Sequence, residues 1–250
     1  MITELDWLKK WKHYSPNSIA VVDGDSGREF TYREVYEISQ KGADLLTRKF
    51  EISKGDRIAV LSGNELEYVF LFFAAQRLGA ILVPINFRLT QREVDHIVSD
   101  CEPKLIVHQD TFSEIISCLP DKVKPTYKCL MSEWTQELGT LGSKKVNYAE
   151  NVIFKEFVSE SRDATMIIYT SGTTGAPKGA IISFDMLFWN SINTTLSLNI
   201  SQSDCAVIFL PFFHTAGWNV LTTPFFHRGA KLVFLKKFDG DQILKLSEHH

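Results

Sequence analysis

Apolar positions along this chain fall into short β-favouring runs separated by stretches of helical period. Arg57 to Leu61 and Ala80 to Ile85 are apolar enough to be buried strands, and Asn64 to Leu78 between them patterns as a helix. Thr90-Gln91-Arg92-Glu93 has the form of a capping box, which starts a helix reaching Asp100, and Lys104 to His108 follows as a strand. Thr111-Phe112-Ser113-Glu114 offers another helix start. From Asp121 to Asn151 the periodicity fades, Lys, Thr, Ser and Gly accumulate and Pro125 interrupts, so a loop or variable connection is expected there. A second block opens with a strand at Met166 and continues through a helix from Asp185 and a strand from Cys205 to Leu210. It closes with a strand from Lys231 to Leu235 and a helix starting at Asp239. Strands alternating with helices predict an α/β fold of layered helices and mainly parallel sheets, in two subdomains covering residues 1–150 and 151–250.

The chemistry concentrates where the Met166 strand ends. After Tyr169 come Thr170, Ser171, Gly172, Thr173, Thr174 and Gly175, and then Ala176-Pro177-Lys178-Gly179. Gly172 and Gly175 tolerate positive φ and carry no side chain, so backbone N–H groups can converge on an anion. The four hydroxyls add donors, and Lys178 adds a point charge suited to phosphate oxygens. A Walker A loop needs Ser or Thr directly after its lysine and a helix starting there; here Gly179-Ala180-Ile181-Ile182 follows, which reads as a strand. A strand-loop-strand phosphate cradle is therefore expected, and a Ser/Thr/Gly hairpin without ligand is the alternative.

Composition narrows the field. The chain has 250 residues, 44% hydrophobic and 23% charged, enough to bury a sizeable core as one large or two small domains. Its net charge of -3, with lysines scattered, gives no footprint for nucleic acid. Cys101, Cys118, Cys129 and Cys205 stand too far apart for a Cys-x-x-Cys pair or a zinc spacing, so buried reduced thiols are expected. Acids stand where a secretory signal would be basic, and no apolar stretch reaches membrane-spanning length, which points to the cytoplasm with no transmembrane segment.

The run from Tyr169 to Gly179 resembles the signature of the AMP-forming, adenylate-forming enzymes: acyl-CoA synthetases, firefly-type luciferases and the adenylation domains of peptide synthetases. Three further segments match in the same order. They are Phe30-Thr31-Tyr32-Arg33-Glu34-Val35, Leu78-Gly79-Ala80-Ile81-Leu82-Val83-Pro84-Ile85-Asn86, and the aromatic-His loop Pro211-Phe212-Phe213-His214-Thr215-Ala216-Gly217. The resemblance runs from Ile19 to the last residue and implies the N-terminal domain portion of the acyl-CoA synthetase-like fold.

It further implies that a carboxylate attacks the α-phosphate of ATP, giving an acyl-adenylate and pyrophosphate, after which the thiol of coenzyme A displaces AMP. Thr170, Ser171, Gly172, Thr173, Thr174, Gly175 and Lys178 would then bind the ATP phosphates, with Lys178 and His214 as catalytic residues. Phe213, His214 and Trp218 would line the acyl pocket, and Thr170 or Thr173 would touch Mg2+. Trp218, Leu221 and Thr222 recur at helical spacing, which a plain core face also explains. The family commonly has Ser-His after its Lys-Gly strand; here Ser183 precedes Phe184, so that histidine is missing. Gly217 to Pro224 and Asn86-Phe87-Arg88-Leu89-Thr90 look closer to fatty and related acyl-CoA synthetases, which favours a hydrophobic acid. The family's later aromatic-Gly-x-Thr-Glu motif, ribose-binding Asp and small mobile C-terminal domain do not occur here, so an N-terminal portion with incomplete turnover is expected. An aryl-acid or amino-acid activating domain and a non-catalytic nucleotide- or acyl-binding module remain as alternatives, and a homodimer stays open.

Overall fold

The computed structural model describes residues 6–140, 157, 160–170 and 176–249. In chain order the elements are α1 (Trp7–Tyr14), β1 (Ile19–Asp23), β2 (Glu29–Thr31), α2 (Tyr32–Phe50), β3 (Arg57–Leu61), α3 (Leu66–Leu78), β4 (Ile81–Ile85), α4 (Gln91–Cys101), β5 (Leu105–His108) and α5 (Ser113–Ser117). There follow β6 (Tyr127–Leu130), α6 (Met131–Leu138), β7 (Ala164–Thr170), β8 (Lys178–Ser183), α7 (Phe184–Ser197), β9 (Cys205–Ile208), α8 (Thr223–Arg228), β10 (Lys231–Phe234) and α9 (Gly240–His249).

Two sheets form. The larger has the order β6-β5-β3-β4-β7-β8 and is parallel except for the β7–β8 hairpin; the smaller has the order β2-β1-β10-β9, with only β1–β2 antiparallel. Side chains two apart on a strand share a face. In β3, Ile58 and Val60 accordingly join one core while Ala59 and Leu61 join another, where they meet Val94, Ile97 and Val98 of α4. The larger sheet is thus covered on both sides, which is why its central strands read as continuous apolar runs.

The main core takes residues from both sheets and nearly every side chain of α3. Such a helix has no solvent face to keep polar, so its apolar residues run all round rather than in a stripe. Phe70 meets Phe30 of β2 edge-on at 5.3 Å, and Phe72 meets Trp218 at 4.8 Å, so α3 packs against the small sheet and its loops. The Thr90 capping box is present, with the Glu93 carboxylate accepting the Thr90 N–H at 2.8 Å.

Two expectations need correction, the loop after Asp121 and the burial of all four thiols. The stretch after Asp121 is not all loop: Tyr127–Leu130 pairs in parallel with β5, and α6 buries Met131, Trp134 and Leu138 against the core. Its strand is a four-residue edge strand, too short to show a period in sequence. Both sheets take strands from either side of residue 150: β7 pairs with β4 and β1 pairs with β10. Long-range parallel pairing of this kind leaves no local trace. Of the four free thiols, burial pushes those of Cys101 and Cys129 up to about 12, but Cys118 is exposed and Cys205 half-buried. Among the described residues no helix is long and apolar enough to cross a membrane.

Candidate active site

The β7–β8 hairpin is the strand-loop-strand arrangement read from the sequence. Its last register pair sets Thr170 opposite Lys178, with Tyr169 opposite Gly179 before it. Both Thr170 and Lys178 are exposed, and Lys178 has no carboxylate partner among the described residues. Ser171, Gly172, Thr173, Thr174 and Gly175, which carry most of the expected donors, lie outside the described residues. A Cβ on Gly179 would come within 2.7 Å of Ile167 and 3.0 Å of the Tyr169 ring, so any side chain there would have to displace these neighbours. Two groups one turn apart on α4 hold the two strands below the loop. The Tyr169 hydroxyl donates to Asp100, and His96 Nε2 lies 3.1 Å from the Pro177 carbonyl.

The aromatic-His loop leaves β9 in the other sheet, and its backbone is tied at several points. Asn64 donates through Nδ2 to the carbonyls of Leu210 (2.9 Å) and Phe209 (3.3 Å), and its Oδ1 accepts the Phe212 N–H at 3.0 Å. The Trp218 indole donates to the Phe212 carbonyl at 2.7 Å. Gly217 packs so closely on this loop that a Cβ would meet the Pro211 carbonyl oxygen at 2.5 Å. Phe212 stacks on Trp218 at 4.5 Å and is buried, whereas Phe213 is half-buried and His214 exposed. The Ala216 N–H donates to His214 Nδ1 at 3.1 Å, which makes Nδ1 the acceptor. In the neutral ring, Nε2 then carries the proton and has no acceptor among the described residues.

Parallel strands bring the two pieces to one edge. β4 and β7 are parallel neighbours, so Thr170 and the segment after Ile85 leave the larger sheet on the same side. That segment carries Phe87, which meets Phe213 edge-on at 5.3 Å. Arg88 lies over the rings of Phe87 and Phe213, at 5.5 and 5.8 Å, with no carboxylate partner among the described residues. The C-terminal edge of an open α/β sheet is where such folds bind ligands. No hydrogen bond or ion pair links Thr170 or Lys178 to Phe213 or His214 among the described residues.

Trp218 is fully buried among Tyr68, Phe72 and Phe212, so it supports the loop from behind. Gly217–Thr222 is a π-helical turn, and the spacing of Trp218 and Thr222 there serves the core. Sequence reasoning did not single out Asn64, Phe87 or the α4 pair as neighbours of the site. For Asn64 a signal existed: a polar residue between an apolar strand and an apolar helix.

The described residues contain no group of three or more His, Cys, Asp or Glu side chains able to hold a metal ion. Thr170, a single hydroxyl at a strand end, does not make a magnesium site by itself, and a hard cation seeks carboxylate oxygens.

Fold and loops together define an α/β protein with two mainly parallel sheets, in which the segment after β4 brings Phe87 against Phe213 of the aromatic-His loop that follows β9. The AMP-binding enzyme family matches residues 8–250, and the chain belongs to that family. It is 30% identical over 241 residues to the long-chain-fatty-acid–CoA ligase FadD13 of Mycobacterium tuberculosis, covering 96% of this chain and 46% of that protein. It is 27% identical to a feruloyl-CoA synthase of Amycolatopsis, over 97% of this chain and 46% of the relative. Among solved structures, ATP-bound MatB from Rhodopseudomonas palustris superposes with a TM-score of 0.84 at 26% identity, covering 98% of this chain and 48% of that one. The N-terminal domain of FACL13 from Mycobacterium tuberculosis gives 0.84 at 28% identity, covering 98% and 60%. The chain thus spans about half the length of the curated relatives it matches.

Proposed function

We propose that this chain forms the phosphate-binding and acid-facing part of an AMP-forming acid–CoA ligase. In the first half-reaction a carboxylate oxygen bonds to the α-phosphorus of ATP, the bond from that phosphorus to the bridging oxygen breaks, and pyrophosphate leaves. In the second, the thiol sulfur of coenzyme A bonds to the acyl carbon, AMP leaves and the thiol proton passes to solvent. Neither half requires a protein nucleophile. The protein must align two anions that repel each other and disperse charge on phosphate oxygens.

Lys178 and the 170–175 loop take the β- and γ-phosphates, where an ammonium with no carboxylate partner among the described residues is available to the ligand. His214 donates from Nε2 to a carboxylate oxygen of the acid. Phe213 and Phe87 give its organic part an aromatic surface, and Arg88 adds positive charge beside it. Magnesium would neutralise phosphate charge, with Thr170 as a hydroxyl neighbour, but the donor set among the described residues does not fit a metal by itself. The aromatic surface, together with the likeness to a long-chain-fatty-acid–CoA ligase, supports a fatty or other hydrophobic acid. The single observation that carries the reading is the register of β7–β8, which sets Thr170 across from Lys178 below the loop.

ATP–pyrophosphate exchange by the whole protein, driven in turn by fatty, aryl and amino acids, tests it. Exchange with a hydrophobic acid and formation of its CoA thioester are expected. Exchange driven only by amino acids, without thioester, would select a different adenylating enzyme, and ATP binding without any exchange would leave a binding module.

A further inference from the structure

The turn entering α3 crosses from the large sheet to the strand ends of the small one through three side chains. Asn64 grips the loop after β9 at three backbone groups. Glu65 pairs with Lys236, just beyond β10, at 2.8 Å, and Gln109 donates to the same carboxylate at 2.7 Å while accepting the Gly63 N–H. Glu67 lies 3.6 Å from Arg28, beyond β1, which in turn pairs with Asp23 at 2.8 Å. Of these ties only the Asn64 one reaches the residues immediately before Phe213 and His214.

We propose that Asn64 is the positioning residue for the acid-binding loop, setting where Phe213 and His214 meet the substrate carboxylate. The inference rests on the reading that this loop faces the acid. A carboxamide is suited to the task because one short side chain presents two N–H donors and a carbonyl acceptor. The loop offers the complement, two carbonyls and one N–H, within a stretch of four residues. Asn64 is 7% exposed, so little water is at hand to replace it. A carboxylate of the same size would still accept from Phe212 but would set negative charge against the carbonyls of Phe209 and Leu210. The two residues after the tie are the half-buried Phe213 and the exposed His214, so a shift at Phe212 is passed straight to His214.

The test is steady-state kinetics of the whole protein carrying Asn64→Ala, Asn64→Asp, Lys236→Met or His214→Ala. Asn64→Asp keeps the shape and guards against a misfolded alanine variant. Lys236→Met cuts the neighbouring tie without touching the loop. KM for the acid is expected to rise about tenfold or more in both Asn64 variants and in His214→Ala, on the scale of one misplaced contact. KM for ATP stays within about twofold, and Lys236→Met leaves both values near the parent's. An unchanged acid KM in the Asn64 variants, or a fall in kcat alone of the kind a lost active fraction gives, overturns the inference while His214→Ala still responds. An unchanged acid KM in His214→Ala as well overturns the acid-facing assignment and the inference with it.

Discussion

The two walls of the candidate site are built on opposite principles. The phosphate-side hairpin is anchored through β7, which pairs with β4 and buries Met166 and Ile168. It ends, however, in the edge strand β8, whose residues from Lys178 to Ile181 are exposed, and near the loop its side-chain hydrogen bonds among the described residues are those to Asp100 and His96 on α4. The acid-side loop is embedded: Phe212 and Trp218 are fully buried, and Asn64 and the Trp218 indole satisfy its backbone. A phosphate grip draws its energy from charge and N–H donors meeting a ligand that brings its own charge, so it can stand at an edge. Recognition of an acid depends on shape and on where one ring nitrogen lies, which only a close-packed support holds to a fraction of an ångström.

That contrast yields four tests. The largest effect is expected from Trp218→Ala, which empties the support behind Phe212 and should lower unfolding stability by about 3–5 kcal/mol in urea titrations. A loss below about 1 kcal/mol would show that the acid-side wall does not depend on this packing. Lys178→Ala should do the reverse. Stability should be nearly unchanged, while ATP–pyrophosphate exchange by the whole protein drops by about 10²–10³-fold, equivalent to about 2.7–4 kcal/mol, as for the loss of one preorganised electrostatic contact. Parent-like exchange in that variant would remove Lys178 from the mechanism.

The third test uses pH. His227 in α8 is pushed down from the ordinary 6.5 to about 4, first by burial and then by the charges of Lys10 and Arg228. It stacks on Trp7 at 4.9 Å and shares a hydrogen bond of 2.8 Å with Ser191, behind the acid-side wall. The unfolded chain takes up a proton below pH 6.5 while the folded one resists, so this contribution is whole above 6.5 and is lost as pH falls toward 4. Its slope cannot exceed about 1.4 kcal/mol per pH unit, and a His227→Phe variant should lack that component when urea midpoints are compared across the window. A parent slope that survives the substitution would assign the acid sensitivity elsewhere. The smallest effect belongs to Tyr169→Phe, which removes one exposed tie of the hairpin and should cost about 0.5–1.5 kcal/mol or less. A greater loss, read in the same titration, would mean that the hairpin is held as firmly as the loop.

Local chemistry was readable before any fold was known. The strand-loop-strand form around Thr170 and Lys178, the capping box at Thr90 and the buried strands at Arg57 and Ala80 depend on neighbours in sequence, through periodicity, turn residues and side-chain bonds three positions apart. The aromatic-His loop was also recognisable, but not which of its aromatics face outward. Phe213 and Trp218 look alike on a list of residues, and only packing makes one a half-buried neighbour of Phe87 and the other a fully buried prop.

Residues distant in sequence account for the rest. β6 was lost because an edge strand of four residues shows no period, and its place follows from hydrogen bonds to β5. Asn64 reads in sequence as the start of a helix, yet its amide serves carbonyls about 145 positions away. The sequence alone determined the class of fold, the family and the cluster of hydroxyls, glycines and one lysine around Thr170 and Lys178, because these are written in local pattern and residue type. The three-dimensional structure decided how strands from both sides of residue 150 share two sheets, which aromatics face the site, and that the turn before α3 holds the acid-side loop. Each of those depends on which surfaces meet when the strands pair, and that is a property of the whole chain.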